Sequence, residues 1–599
     1  MNFSFLIFRE KIKLMESNKR ASRPTAHTMK TTYCFSHVLV QEAVYKMLLN
    51  QKLQFHQWVA EWYEKNIEDL SPYSSLLAKH YSRANNLKRT LHFSLSAGDS
   101  AFNKSCYDEA IDFFLAAIRL AEISRPSGND AVGLNTGIDP VTFAGIRRKL
   151  AECYINYGEL KDATFHLEQA LYHLKQPLPN TGSTSFIGEL LVHGWRRYKP
   201  TTSTTFGITR DILEIVRTYE KLGEFYCLKA EDPSKPVFAI LRAINLAESA
   251  KNPPAELAIC YGYMIMLSNI TSNFGSLPAM YDGLLQSIMA RRSSGATPDP
   301  SSENCIAKGL CIASTYYVSI GNFQKADLYL SQSLQINERV GNRSELARTR
   351  LVLAYLHFLT GKIEDSEKMY KTVNLASQSG DVESKTMSRL GRTQITVLRD
   401  KTREALETLE EIEPTVPNIL RPMYYGLLCN SYFRSGRTGL AIEIANVTIE
   451  ELLSSKPYFT ILESSFWTLE VILAVWEIDT SSKLITSDLK NKTKTLMNKI
   501  DSNLTKVPIT KPKLMVYKGL LEWILGNFAK AEKRWNEALS IANEMHLKFD
   551  VALATFEMER HYCFTTKYFR RKTDDSHSLF ESMGIPVPYR PRELEDISR

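Results

Sequence analysis

The chain has 599 residues, 44% of them apolar and 23% charged, with a formal net charge of +8. That length exceeds what one hydrophobic core supports and fits several domains or one extended repeat array. The charge is small and dispersed, with no basic stripe, which argues against a nucleic-acid binder. No run of about 18 apolar residues occurs, which argues against a membrane span.

The nine cysteines (34, 106, 153, 227, 260, 305, 311, 429 and 563) are scattered and form neither a CxxC pair nor a Cys/His cluster. Neither a zinc site nor a disulfide framework is expected, and a reducing cytoplasm is the expected compartment. In chain order, residues 1–30 are basic and irregular and are expected to form a disordered leader. The opening Asn2-Phe3-Ser4-Phe5-Leu6-Ile7-Phe8 lacks a preceding positive region and a small-residue cleavage site, so it is a poor signal peptide. Helical periodicity dominates afterwards. Residues 31–90 are expected to be a helical joint and 91–290 a first helical array with long inserts. Residues 304–560 are expected to be a second array, and 571–599 a loosely ordered tail. Breaks rich in Pro, Gly, Ser and Thr fall near 124–140, 175–209, 290–304 and 504–512.

The arrays carry an internal repeat. Taking Gly158 as a turn, Ala163, Leu167 and Ala170 follow at fixed distances, and Tyr154 and Ala151 precede it. The template recurs at Gly321 with Ala326, Leu330 and Ser333, and at Gly361 with Ser366, Tyr370 and Val373. It recurs again at Gly436 with Ala441, Ala445 and Thr448, and at Gly526 with Ala531, Trp535 and Ala538. Ser105 and Asp400 stand in for the glycine in two further copies, bringing Ala110, Phe114 and Ala117, then Ala405, Leu409 and Ile412. Two closely packed antiparallel helices need small residues where their backbones approach, and the turn needs a residue that tolerates left-handed backbone. The turns at 321, 361, 400 and 436 are 40, 39 and 36 residues apart, close to helix-pair solenoid repeats. These residues resemble tetratricopeptide repeats. The resemblance implies an all-α solenoid of paired helices wound into a superhelix with a concave binding face.

Before the repeats, Tyr33-Cys34-Phe35-Ser36-His37-Val38-Leu39-Val40-Gln41-Glu42-Ala43-Val44-Tyr45 is followed by His56, Trp62 and Leu77-Ala78-Lys79-His80-Tyr81. This order is similar to the joint between the ATPase module and the tetratricopeptide region in large signal-transducing ATPases. That group includes soluble adenylyl cyclases and maltose-regulator-type activators. In that family the aromatic-x-His run closes a winged-helix element after the nucleotide site. The segment from Leu150 to Leu174, with Trp195-Arg196-Arg197-Tyr198 beyond a Pro-rich break, is similar to the soluble-cyclase branch. The phosphate-binding Gly-x-x-x-x-Gly-Lys-Ser/Thr run is missing, because Gly361-Lys362 lacks the earlier glycine and is followed by Ile363. No domain carries the paired aspartates of cyclase catalysis either. The resemblance therefore implies a non-catalytic regulatory, protein-interaction region of such a protein, and the alternative is a free-standing repeat scaffold.

No catalytic, cofactor-binding or metal-ligating set is assigned, and no cofactor is expected. His37, Glu42, His56 and His80 could be imagined as metal ligands, but metal sites show tighter ligand spacing, and a structural role is expected. Arg147-Arg148-Lys149 and Arg389 with Arg392 fall on first helices of repeats, which line the groove in this family. They could hold an acidic peptide, and solvated helix surface is the expected reading. Expected partners are proteins, either a peptide or domain in the concave groove or the protein's own upstream ATPase and cyclase domains.

Overall fold

The computed structural model describes residues 7–10, 32–35, 49–123, 138–176, 178, 184–198, 209–229, 232, 234–250, 254–268, 277–293, 299–376, 381–454, 459–478, 484–562 and 575–588. Among these lie twenty-five α-helices and one two-stranded antiparallel ribbon, so the fold is all-α apart from that ribbon. The ribbon pairs Ile7–Glu10 with Thr32–Phe35, Ile7 opposite Phe35 and Glu10 opposite Thr32. It stands where a disordered leader (1–30) and the start of a helical joint were expected. Both partners are short runs containing aromatic and β-branched residues, which suit a pleated backbone.

The chain divides into two compact units, Met1–Ser100 with Asp112–Gly137, and Ala101–Ile111 with Ile138–Arg599. In the smaller unit, the helices Leu49–Asn66, Ser74–Arg83 and Leu87–Asn103 enclose Ala60, Leu77, Ala78, Tyr81 and Phe93. Tyr81 stacks on Phe93 with ring centroids 5.6 Å apart.

In the larger unit helices come in consecutive pairs, such as Pro140–Tyr157 with Leu160–His173 and Pro300–Ser319 with Phe323–Val340. Each first helix also packs on the first helix of the next pair. The row runs through Arg343–Leu359, Val382–Leu398, Arg421–Arg434, Phe459–Ile478, Lys511–Ile524 and Lys548–Tyr562. Packing on both the partner and the next repeat is what defines a helix-pair solenoid, because one pair cannot bury its own apolar face.

The turns follow the sequence template. Gly158, Gly321, Gly361, Gly436 and Gly526 all have φ between 76° and 81°, and Ser105 and Asp400 adopt 58° and 57°. In each, the amide after the turn residue donates to the carbonyl four residues before it, as in Glu159 to Tyr154 (3.0 Å) and Lys362 to His357 (2.8 Å). This closes the first helix with a Schellman-type bond that satisfies an otherwise orphaned carbonyl. The small template residues are packed inside, with Ala163, Ala326, Ala441 and Ala531 at 0% exposure. In two of the pairs a glycine of the first helix leaves a notch that a large aromatic of the second helix fills. A Cβ at Gly98 would stand 2.7 Å from the Phe114 ring, and one at Gly519 would clash with Trp535. The Trp535 indole N–H is satisfied by the Val516 carbonyl at 3.1 Å.

The expected loose tail over 571–599 contains a helix, Asp575–Ser582. Phe580 anchors it, 1% exposed, with its ring 6.1 Å from Phe549 and 6.4 Å from Phe556. One buried aromatic thus orders a segment whose flanking composition is polar.

Candidate functional site

Arg147 and Arg148 are packed inside, not on the solvated surface expected of them, whereas Arg392, its side chain 42% exposed, does lie on solvated surface. Arg147 and Arg148 are 5% and 8% exposed. Arg147 lies over the rings of Phe143 and Phe165 and donates to His166 Nδ1 at 3.2 Å. Burial, then the neighbouring guanidinium, lower the His166 pKa to about 4, so the ring is a neutral acceptor. Arg148 donates from Nε to Glu214 at 2.6 Å. Arg389 pairs with Glu411, and Arg392 with Glu404 at 3.5 Å. The helical repeat placed these charges on first helices, but it could not show that Glu214 of another first helix meets Arg148, or that Glu404 and Glu411 of the paired second helix meet Arg392 and Arg389.

Other charged residues of the larger unit join into two ion networks. In the first, Lys221 holds Glu152 at 2.8 Å and Glu224 at 3.0 Å, while Lys308 holds Glu220 at 3.1 Å and Glu224 at 2.9 Å. Arg348 adds Glu345 at 3.2 Å and reaches Asn156 at 2.9 Å. Burial disfavours the Glu224 carboxylate, but Lys221, Lys308 and Arg348 outweigh it and hold its pKa well below the ordinary value. In the second network, Lys513 donates to Glu463 at 3.1 Å and lies 3.9 Å from Asp550, and the Tyr355 hydroxyl donates to Glu463 at 2.9 Å. These groups tie neighbouring first helices together. Their hydrogen-bonding capacity is directed at one another, so the arrangement serves packing and register.

Asp550 is the imperfect member of the second network. Burial raises its pKa to about 6, with Lys513 opposing and Glu463 adding to the rise. Between pH 4 and 6 the native state then binds a proton that the unfolded chain does not, so this residue's contribution to stability falls as pH rises through that window. Asp550→Asn should flatten the pH dependence between 4 and 6. It should also raise stability at pH 7.5 by about 2 kcal/mol, read from urea midpoints at the two ends of the range.

His56 and His80 come together, with Nδ1 atoms 2.9 Å apart. Partial burial lowers both pKa values, aided at His80 by His56 and Arg83. One neutral ring donates to the other, which joins the helices Leu49–Asn66 and Ser74–Arg83. His37 and Glu42 lie outside the described residues. Among the described residues no group of three or more His, Cys, Asp or Glu is placed to hold a metal ion. None of the described helices is long and apolar enough to cross a membrane.

What the described surface does offer is apolar. On Leu49–Asn66, Phe55, Trp58, Val59 and Trp62 are 38–57% exposed and recur at i, i+3, i+4 and i+7, one face of a helix. The helix Thr184–Tyr198 has its amphipathicity inverted. Its inner face is polar: Glu189 pairs with Arg242 at 2.7 Å, His193 Nε2 meets the Tyr281 hydroxyl at 2.7 Å, and Arg197 pairs with Glu248. Its outer face carries Ile187, Leu190, Leu191, Val192, Trp195 and Tyr198, 37–85% exposed. This helix lies within 175–209, which the sequence marks as a break rich in Pro, Gly, Ser and Thr, so its existence corrects that expectation. Only the structure shows the polar side turned inward.

No known family profile matches the chain, and no curated protein matches it significantly. Among solved structures, the crystal structure of yeast Tom70 aligns with 88% of this chain and 100% of its own length, at 10% identity and a TM-score of 0.30.

Proposed function

We propose that this chain is a non-catalytic regulatory and protein-interaction repeat region of a signal-transducing ATPase, of the soluble-adenylyl-cyclase kind, working in the cytoplasm. The observation that carries the reading is the exposed aromatic stripe on Leu49–Asn66, which follows the segment resembling an ATPase-to-repeat joint. Apolar faces of that kind mark surfaces covered by another protein or domain. A helix array beyond a nucleotide switch biases that switch when it makes different contacts with its two states. The discriminating observation is the genomic sequence upstream. An in-frame phosphate-binding loop with cyclase domains supports the regulatory reading, and their absence leaves a free-standing scaffold.

The same reading predicts that the purified chain neither cyclises nor hydrolyses ATP. Both reactions need several charges preorganised around the phosphates, and the basic groups described above are paired internally. Assays for cyclic nucleotide and phosphate release, supplemented with magnesium or manganese, should match a denatured control. Any weak ATP adsorption should fade with added salt, because exposed charges are screened. Salt-resistant micromolar binding would contradict the reading.

A further inference from the structure

The inverted helix Thr184–Tyr198 presents a seam with 4-3-4 spacing: Ile187, Leu191, Gly194 and Tyr198. That is the spacing by which one helix packs against another. Gly194 sits in the seam with nothing within 4 Å of where a Cβ would stand, so the outer face has an open notch beside Leu191. A glycine inside an exposed helix weakens it, and here it leaves room for an incoming side chain. Run against itself in the opposite direction, the seam places Leu191 over Gly194 and Ile187 against Tyr198, each twice. A two-fold interface requires that self-complementarity. The exposed side chains of this face carry no charge, so two copies meet without like-charge repulsion. Behind it Glu189 is neutralised by Arg242 and Arg197 by Glu248, and the half-buried Arg196 is turned inward to donate to the Asn245 carbonyl. Six large apolar side chains offer roughly several hundred Å², the size of the largest, often functional, patches on monomers and a large part of the roughly 800 Å² per partner of a stable interface.

We propose that this helix is a homodimerisation element, pairing antiparallel about a two-fold axis with the same helix of a second copy of the chain. This inference is independent of the proposed function, because the joint helix carrying Trp58 and Trp62 takes no part in it. The test is sedimentation equilibrium on the full chain over a wide concentration range, with far-UV circular dichroism as the control for folding. Wild type should dimerise. Leu191→Glu should weaken association at least about tenfold with unchanged helix content, since the side chain is 68% exposed. Gly194→Leu should also weaken it, by filling the notch that receives Leu191. That second variant discriminates, because on an isolated or lipid-bound helix the same change adds helix propensity and apolar surface. A monomer at every concentration overturns the proposal. So does a dimer indifferent to Leu191→Glu, or one tightened by Gly194→Leu. Binding of a monomeric chain to phosphatidylserine-containing vesicles, lost in Leu191→Glu, would assign the face to lipid instead and equally overturn it.

Discussion

Gly309→Val should destabilise the larger unit by about 3–4 kcal/mol, at the top of the range for overpacked cores. Gly309 lies where Pro300–Ser319 crosses Glu256–Leu267 at backbone contact. A Cβ there would stand 2.6 Å from the Ala258 carbonyl carbon, and one at Gly262 would stand 3.1 Å from the Gly309 Cα. A clash with a side-chain tip is relieved by rotation, but a clash with main chain is relieved only by parting two helices. The parted helices would open contacts that include Leu257, Cys260, Ile306 and Leu310, all buried. Gly283 supplies the opposite sign: it is helical and exposed, and nothing stands within 4 Å of its Cβ position. Gly283→Ala should therefore gain up to about 1 kcal/mol from helix propensity. Guanidinium denaturation followed at 222 nm separates the two. Similar midpoints for Gly309→Val and wild type would show that this crossing is looser than described.

Lys308→Met should cost about 3–5 kcal/mol at neutral pH, the usual result of removing one partner from a buried ionic cluster. Its side chain is 9% exposed, and it sits between Glu220 and Glu224, themselves 4% and 12% exposed. Burial disfavours the Lys308 ammonium, but Glu220 and Glu224 outweigh that and raise its pKa well above the ordinary value. Such a group stabilises fully below its ordinary pKa and loses its contribution only as pH rises through the folded value. Glu224, held low, contributes above the ordinary carboxylate range and loses that contribution as pH falls through its own folded value. Neutral pH lies inside both windows. Without the lysine the two carboxylates are left facing each other, and acid relieves them by protonation, so the cost should shrink as pH drops toward 5. Adding Glu220→Gln to Lys308→Met should recover part of the loss at pH 7.5. The double-mutant cycle measures that coupling, and a purely additive cycle would mean the charges act separately.

The seven turns were legible because each depends on local chemistry: a residue tolerant of positive φ, and small residues at fixed distances from it. The turns that leave second helices were harder to see. Lys175 and His546 adopt φ of 56° and 58° with side chains that carry no such signal, and Gly341 does so at 79° outside the template. Gly309 is an unremarked small residue in the sequence, and its importance comes from Ala258 on another helix. Arg147 and Arg148 were placed on the correct helix and given the wrong surroundings, since Phe143 is close in sequence but Glu214 is not. His56 and His80 are 24 residues apart and meet only because their helices pack. Periodicity reports which face of a helix is apolar. It does not report which face is turned inward, and Thr184–Tyr198, inside a segment expected to be a break, turns its polar face inward.

The bond from Arg348 to Asn156 spans 192 residues, and the helices Pro140–Tyr157 and Val382–Leu398 also touch. An open repeat array behaves as a row of nearest-neighbour couplings, so it frays from its ends and tolerates shortening by whole repeats. A chain whose second hundred residues rest on its fourth hundred has lost that modularity. Its nucleus must close a very long loop before those contacts form, which slows folding. Loosening of either region is felt by the other, so limited proteolysis should find intact chains and small fragments, with few stable intermediates of repeat length.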